Sequence, residues 1–130
     1  MRPEMTQDQR TASVVINGRN VAVEWTRAAA GELARRPRPL IVELELYFSC
    51  LVKKFVHFHE EAGDRETVAA NDKLLLYFRP VTSTTCSFEV AERLGRQPEM
   101  DLHSDAVKKI APKKVRIDFA RGAWQGHFSL

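Results

Sequence analysis

Four groups of residues in this 130-residue chain have types and spacings that could do chemistry. His57 and His59 stand two apart in an apolar-rich run. Residues i and i+2 of a strand point to the same side, so both imidazoles would share a face, as a two-histidine metal site on a sheet requires. A closed zinc site wants four ligands at recognisable spacings, and only Glu61 stands near as a further donor. The plainer expectation is a pair of exposed residues at a strand end. Cys50 and Cys86 form the second group. They could make a redox pair if their Cα atoms lie within about 7 Å. Both fall on the core-facing parity of their strands, where a free cysteine packs as a small hydrophobe, and that is the expectation for them.

The third group, His103, Ser104 and Asp105, has the residue types of a hydrolytic triad but not its geometry. Adjacency in sequence does not set a hydroxyl against an imidazole and the imidazole against a carboxylate. Ser104 as the N-cap of a short helix explains the same residues. No nucleophile elbow, Walker loop or dinucleotide fingerprint occurs. The fourth group is basic. Residues 108–116 read KKIAPKKVR, supplying Lys108, Lys109, Lys113, Lys114 and Arg116 with no acidic residue, and Arg121 and Trp124 follow. Such a segment could contact several phosphates and set an aromatic beside them, although a solvated basic face is the plainer expectation for it. The run Lys54-Phe55-Val56-His57-Phe58 is similar to the tail of the first ribonucleoprotein motif of the RNA-recognition fold, whose aromatics stack bases. The motif's glycine and first aromatic are missing here, and the order of elements is not that fold's.

The elements that must position these residues follow from periodicity and turn chemistry. Residues 1–11 are polar and without period, and read as a flexible tail, leaving 12–130 as one domain. In SVVINGRNVAVEW, Asn17-Gly18 between two apolar runs predicts a hairpin, with Val21, Val23 and Trp25 facing inward. Thr26 caps a predicted helix over 27–36, and the prolines at 37 and 39 end it. From Leu40 to His59 the chain alternates: Val42, Leu44, Leu46, Phe48, Cys50 and Val52 on one face, Glu43, Glu45 and Ser49 on the other. The run is too long for one ordinary strand, so Lys53-Lys54 is expected to be a bulge or a turn. Residues 60–71 read as a loop with one helical turn around 65–70. Residues 73–79 are apolar enough for a strand covered on both sides, with Pro80 ending or kinking it. A further strand is expected over 82–90 and a loop over 95–101. A second helix over 105–110 is followed by a closing hairpin that turns at Arg121-Gly122.

Composition is ordinary for a globular chain: 20 Lys plus Arg against 17 Asp plus Glu, a net charge of +3. Two cysteines, no CxxC and a polar start without an apolar leader point to a reducing, cytoplasmic setting, and no run is long enough to span a membrane. The expected fold is therefore α+β: a mainly antiparallel sheet of six to eight strands in hairpins, curling into a partial barrel or sandwich, with two short helices. The leading functional expectation is a non-catalytic binding or adaptor module with a protein partner and no cofactor. A weak nucleic-acid binder using the 108–121 segment is the alternative. A small redox or metal protein using Cys50 and Cys86 or His57 and His59 is the third.

Overall fold

The computed structural model describes residues 10–48, 52–83, 99–101 and 109–130. Strands β1 (Thr11–Ile16) and β2 (Arg19–Trp25) form the expected hairpin. Asn17 and Gly18 turn it with φ of 53° and 75°, the paired positive values of a type I′ turn that matches strand twist. Helix α1 (Arg27–Ala34) follows at once, and the Thr26 hydroxyl accepts from the Ala29 N–H at 3.2 Å. Ala29 and Leu33, four apart on one face of α1, are buried.

Strands β3 (Leu40–Phe48) and β4 (Val52–His59) come from the long alternating run. They form an antiparallel hairpin with Ile41 opposite His59 and Phe48 opposite Val52. Lys53 and Lys54 are thus neither bulge nor turn. They lie inside β4 and pair with Tyr47 and Leu46 of β3, and residues 49–51 lie outside the described residues. Two segments expected as loops contribute strands instead. Residues 68–71 form β5 (Val68–Asn71), antiparallel to β6 (Leu74–Ser83), and residues 99–101 form β7 (Glu99–Asp101), which pairs with the end of β6. In both segments the partner strand overrides weak local preference, since β-propensity largely reflects packing against neighbours. The expected strand over 82–90 is described only for Thr82 and Ser83, as the last residues of β6. Strands β8 (Lys114–Ala120) and β9 (Ala123–Ser129) close the chain through Arg121 and Gly122, with φ of 56° and 77°.

Pro80 neither ends nor interrupts β6. The Leu40 N–H donates to the Lys73 carbonyl at 2.9 Å. Backbone groups alternate along a parallel ladder, so odd residues of β6 address β3 and even residues, Pro80 among them, turn their nitrogen to the opposite edge. There, among the described residues, the pairing with β5 reaches to Leu76 and the pairing with β7 begins at Val81. Among the described residues Pro80 thus has no ladder partner on that edge, a position where a missing N–H is tolerated.

The strands assemble into two sheets, ordered β1-β2-β8-β9 and β4-β3-β6-β5, with β7 beside the end of β6. Both are built alike: two antiparallel hairpins joined by one parallel pair, β2 with β8 and β3 with β6. Five of the seven described strand pairings are antiparallel, but each sheet also holds one parallel pair and is therefore mixed; the described strands number nine rather than six to eight, and one helix is described rather than two. Of the second expected helix, residues 105–108 lie outside the described residues, and the described Lys109 and Ile110 are not part of an α-helix. The two sheets face one another across a single core. Val21, Val23, Val115 and Ile117 of the first pack with Leu40, Val42, Leu44, Leu74 and Leu76 of the second, all 0–1% exposed. Trp25, Ala29 and Leu33 join the same cluster. Among the described residues no helix is long and apolar enough to cross a membrane.

Candidate cation site on the outer face of the second sheet

Strand β3 lies between β4 and β6, and Leu40, Val42 and Leu44 point into the core while Ile41, Glu43, Glu45 and Tyr47 point to the outer face. The alternation expected from sequence holds, but the outer positions are not open to water. Glu43 is 6% exposed and Glu45 1%, and Ile41 and Tyr47 are buried as well. The strand covered on both faces is therefore β3. In β6, expected in that role, Leu75 and Tyr77 on the outer side are only partly buried.

Register brings the site together. Glu43 stands opposite His57 on β4 and Tyr77 on β6, and Glu45 stands opposite Phe55 and Arg79. The histidine and arginine bonds run on the diagonal, within reach of long side chains on one sheet face, and the tyrosine bond runs straight across. The His57 Nε2 lies 2.7 Å from Glu45 Oε1 and the His59 Nε2 2.9 Å from Glu43 Oε1. The Tyr77 hydroxyl donates to the same Glu43 Oε1 at 2.9 Å, and the Arg79 guanidinium donates to Glu43 Oε2 at 3.3 Å. Along β4 the rings of Phe55, His57 and His59 follow one another with centroids 6.2 and 6.4 Å apart, and Tyr47 lies 6.4 Å from Phe55. The Arg65 guanidinium sits 5.4 Å over the Tyr77 ring.

A buried carboxylate is costly unless charged or hydrogen-bonding partners hold it. Burial pushes the Glu43 carboxyl up, but the bonds from His59 and Tyr77 and the charges of His57 and Arg79 outweigh it, and its pKa lies below the usual carboxylate range. The Tyr77 hydroxyl moves the other way. Burial and then the adjacent Glu43 carboxylate, which accepts its proton in a hydrogen bond, push it up to about 12. A carboxylate oxygen of Glu43, one of Glu45 and a ring nitrogen of His57 all lie within 4.8 Å of one another, close enough for one small ion to touch all three.

The two histidines singled out from sequence are thus on one face, at 37% and 40% side-chain exposure, but they are not a bare strand end. Glu61, the local donor, pairs instead with Arg38 at 3.6 Å. The partners that sequence reasoning missed are Glu43, Glu45, Tyr77 and Arg79. A signal for the first two was present: Glu43 and Glu45 share the odd parity of His57 and His59, and a hairpin turn near residue 50 pairs odd with odd. Cys50 and Cys86, like His103, Ser104 and Asp105, lie outside the described residues.

The basic segment does not gather into one patch. Lys108 lies outside the described residues, and Lys109 is exposed at the approach to β8, where its carbonyl accepts from the Arg19 side chain at 2.8 Å. Lys113, Lys114 and Arg116 are exposed at the start of β8. Glu24 of β2 sits between Lys114, at 3.5 Å, and Arg116, at 2.6 Å. The Arg116 bond, with the Lys114 charge and bond behind it, holds the Glu24 carboxyl below its ordinary pKa despite some desolvation. Arg121 is at the opposite end of the strand, roughly 25 Å from Lys113 at 3.3 Å per residue. Trp124 is on the other face from Lys114 and Arg116. It packs inward, 4.9 Å from Phe119 and 6.1 Å from Phe58 by ring centroids. Phe58, the last aromatic of the run similar to a ribonucleoprotein motif, is thereby turned toward the core and away from His57.

Comparison with known proteins gives no family model, no curated protein and no solved structure that matches the chain.

Proposed function

We propose that this chain is a non-catalytic binding module whose working surface is the outer face of the second sheet, and that it takes a cationic ligand there. The observation that carries this reading is the pair of carboxylates, Glu43 and Glu45, more than nine-tenths buried on one strand face and rimmed by half-exposed imidazoles. Stability alone does not call for such a pair. A well-packed apolar substitute for buried ionic groups is often neutral or more stable, so their presence fits a surface shaped for a charge from outside. Binding is favoured over catalysis because His57, His59, Tyr77 and Arg79 each hold a carboxylate in place rather than standing free to move a substrate proton.

The test is a titration followed by the imidazole Hε1 resonances of His57 and His59. Zinc, magnesium and a lysine- and arginine-rich peptide are added separately to wild type and to Glu45→Gln. At least one cation should shift both resonances in the wild type, with a response at least tenfold weaker in the variant. Resonances unmoved by every cation, or moved equally in both proteins, would overturn the proposal.

A further inference from the structure

We infer that the cation is a first-row divalent transition metal, with zinc as the representative, bound by Glu43, Glu45 and His57, and with His59 as the fourth donor. This rests on the cation-binding reading of the face and names its ligand. Ligand atoms that bind one zinc ion at about 2.0 to 2.2 Å lie roughly 3 to 4 Å from each other. The donor atoms of Glu43, Glu45 and His57 already fall within 4.8 Å of one another, so small side-chain rotations suffice to close them on an ion. His59 stands beside these three on the same strand face, its Nε2 2.9 Å from Glu43 Oε1 and its ring centroid 6.4 Å from that of His57.

Donor chemistry selects the metal. Two imidazoles and two carboxylates suit zinc and its neighbours, whereas magnesium and calcium prefer carboxylates, carbonyls and water. The outer arrangement is also that of a metal site. Ligating carboxylates are commonly fixed by further hydrogen bonds, and Glu43 is held by Arg79 on Oε2 and by Tyr77 on Oε1. The backbone of all four donors belongs to two adjacent strands in fixed register, so the constellation is set by the sheet and not by a loop. The half-exposed histidines give the ion a route in from solvent.

The experiment uses the full chain without a histidine tag, stripped with a chelator and then titrated with zinc by calorimetry, with cobalt absorption as a second readout. One zinc per chain is expected, with magnesium at least a hundredfold weaker. Cobalt should give the visible bands of a four- or five-coordinate site. His57→Ala and Glu45→Gln should each weaken zinc binding at least tenfold, the scale of losing a group that holds a metal. Zinc should raise the melting temperature of the wild type and not of His57→Ala, which keeps the test decisive if Glu45→Gln folds poorly. Equal zinc binding in wild type and His57→Ala, no stoichiometric zinc binding, or magnesium binding as tightly as zinc would overturn the inference. If zinc fails while the basic peptide still shifts His57 and His59, the cation-binding reading survives and only the metal is removed.

Discussion

At the scale of single residues, Glu43 and Tyr77 depart most from what their types suggest. A glutamate at the outward parity of a strand is ordinarily wet, yet Glu43 is 6% exposed and accepts bonds from three side chains. The two groups are linked, and the linkage fixes the sign of their pH dependence. Tyr77 titrates at about 12 in the fold, above its ordinary value, because ionising it would set a phenolate beside a carboxylate in a half-buried site. Its contribution to stability is therefore present below about pH 10 and is lost as pH rises through 12. Glu43 behaves oppositely: its lowered pKa contributes stability above the ordinary carboxylate range, lost as pH falls through it. Phenolate absorbance during a base titration should show one tyrosine ionising near 12, and Tyr77→Phe should remove that step. The same variant should lose about 1 kcal/mol, the usual net worth of a hydrogen bond, measured by urea unfolding at pH 7.

At the scale of elements, the hairpins were readable because their turns are chemically explicit. Asn17-Gly18 and Arg121-Gly122 mark positions where φ must be positive, and the alternation around them assigns the inner face. The β3–β4 hairpin was not readable in the same way. Between Phe48 and Val52 the sequence reads Ser49-Cys50-Leu51, with no glycine, proline or asparagine to announce a reversal. Gly126 illustrates how an element adapts to what it meets. A Cβ there would come within 3.1 Å of Val56 Cγ1, 3.2 Å of Ile117 Cδ1 and 3.3 Å of the Arg116 carbonyl. β9 thus lies close against β4 at one side of the core, and a side chain at this position would push the sheets apart. Gly126→Val should destabilise the protein by about 1–3 kcal/mol through overpacking, whereas Gly31→Ala, with open space around its Cβ, should be neutral or stabilising. Thermal melts of the two variants side by side check this.

At the scale of the whole molecule, stability comes from one core shared by two mixed sheets. Leu44 is at its centre, fully buried on the strand that joins both hairpins of the second sheet. Leu44→Ala should cost about 2–5 kcal/mol, the range for deleting a buried leucine side chain, in urea unfolding. The outer face of β3 should respond as well, because Glu43 and Glu45 are held by the same backbone. A loss of His57 and His59 shifts on zinc addition, in a Leu44→Ala protein that is still folded, is the expected sign of that coupling.

By itself the sequence determined the strands and their inner faces at both ends of the chain, the capped helix, and the shared side of His57 and His59. These depend on period, caps and turn residues, all local properties of neighbouring amino acids. Only the tertiary structure decided which hairpins join, and that they join in parallel, since strand partners distant in sequence leave no mark on either segment. It also decided that Glu43 and Glu45 are buried and meet the two histidines. Parity says which face a residue takes; register across the hairpin and cover from β4 and β6 decide what it finds there.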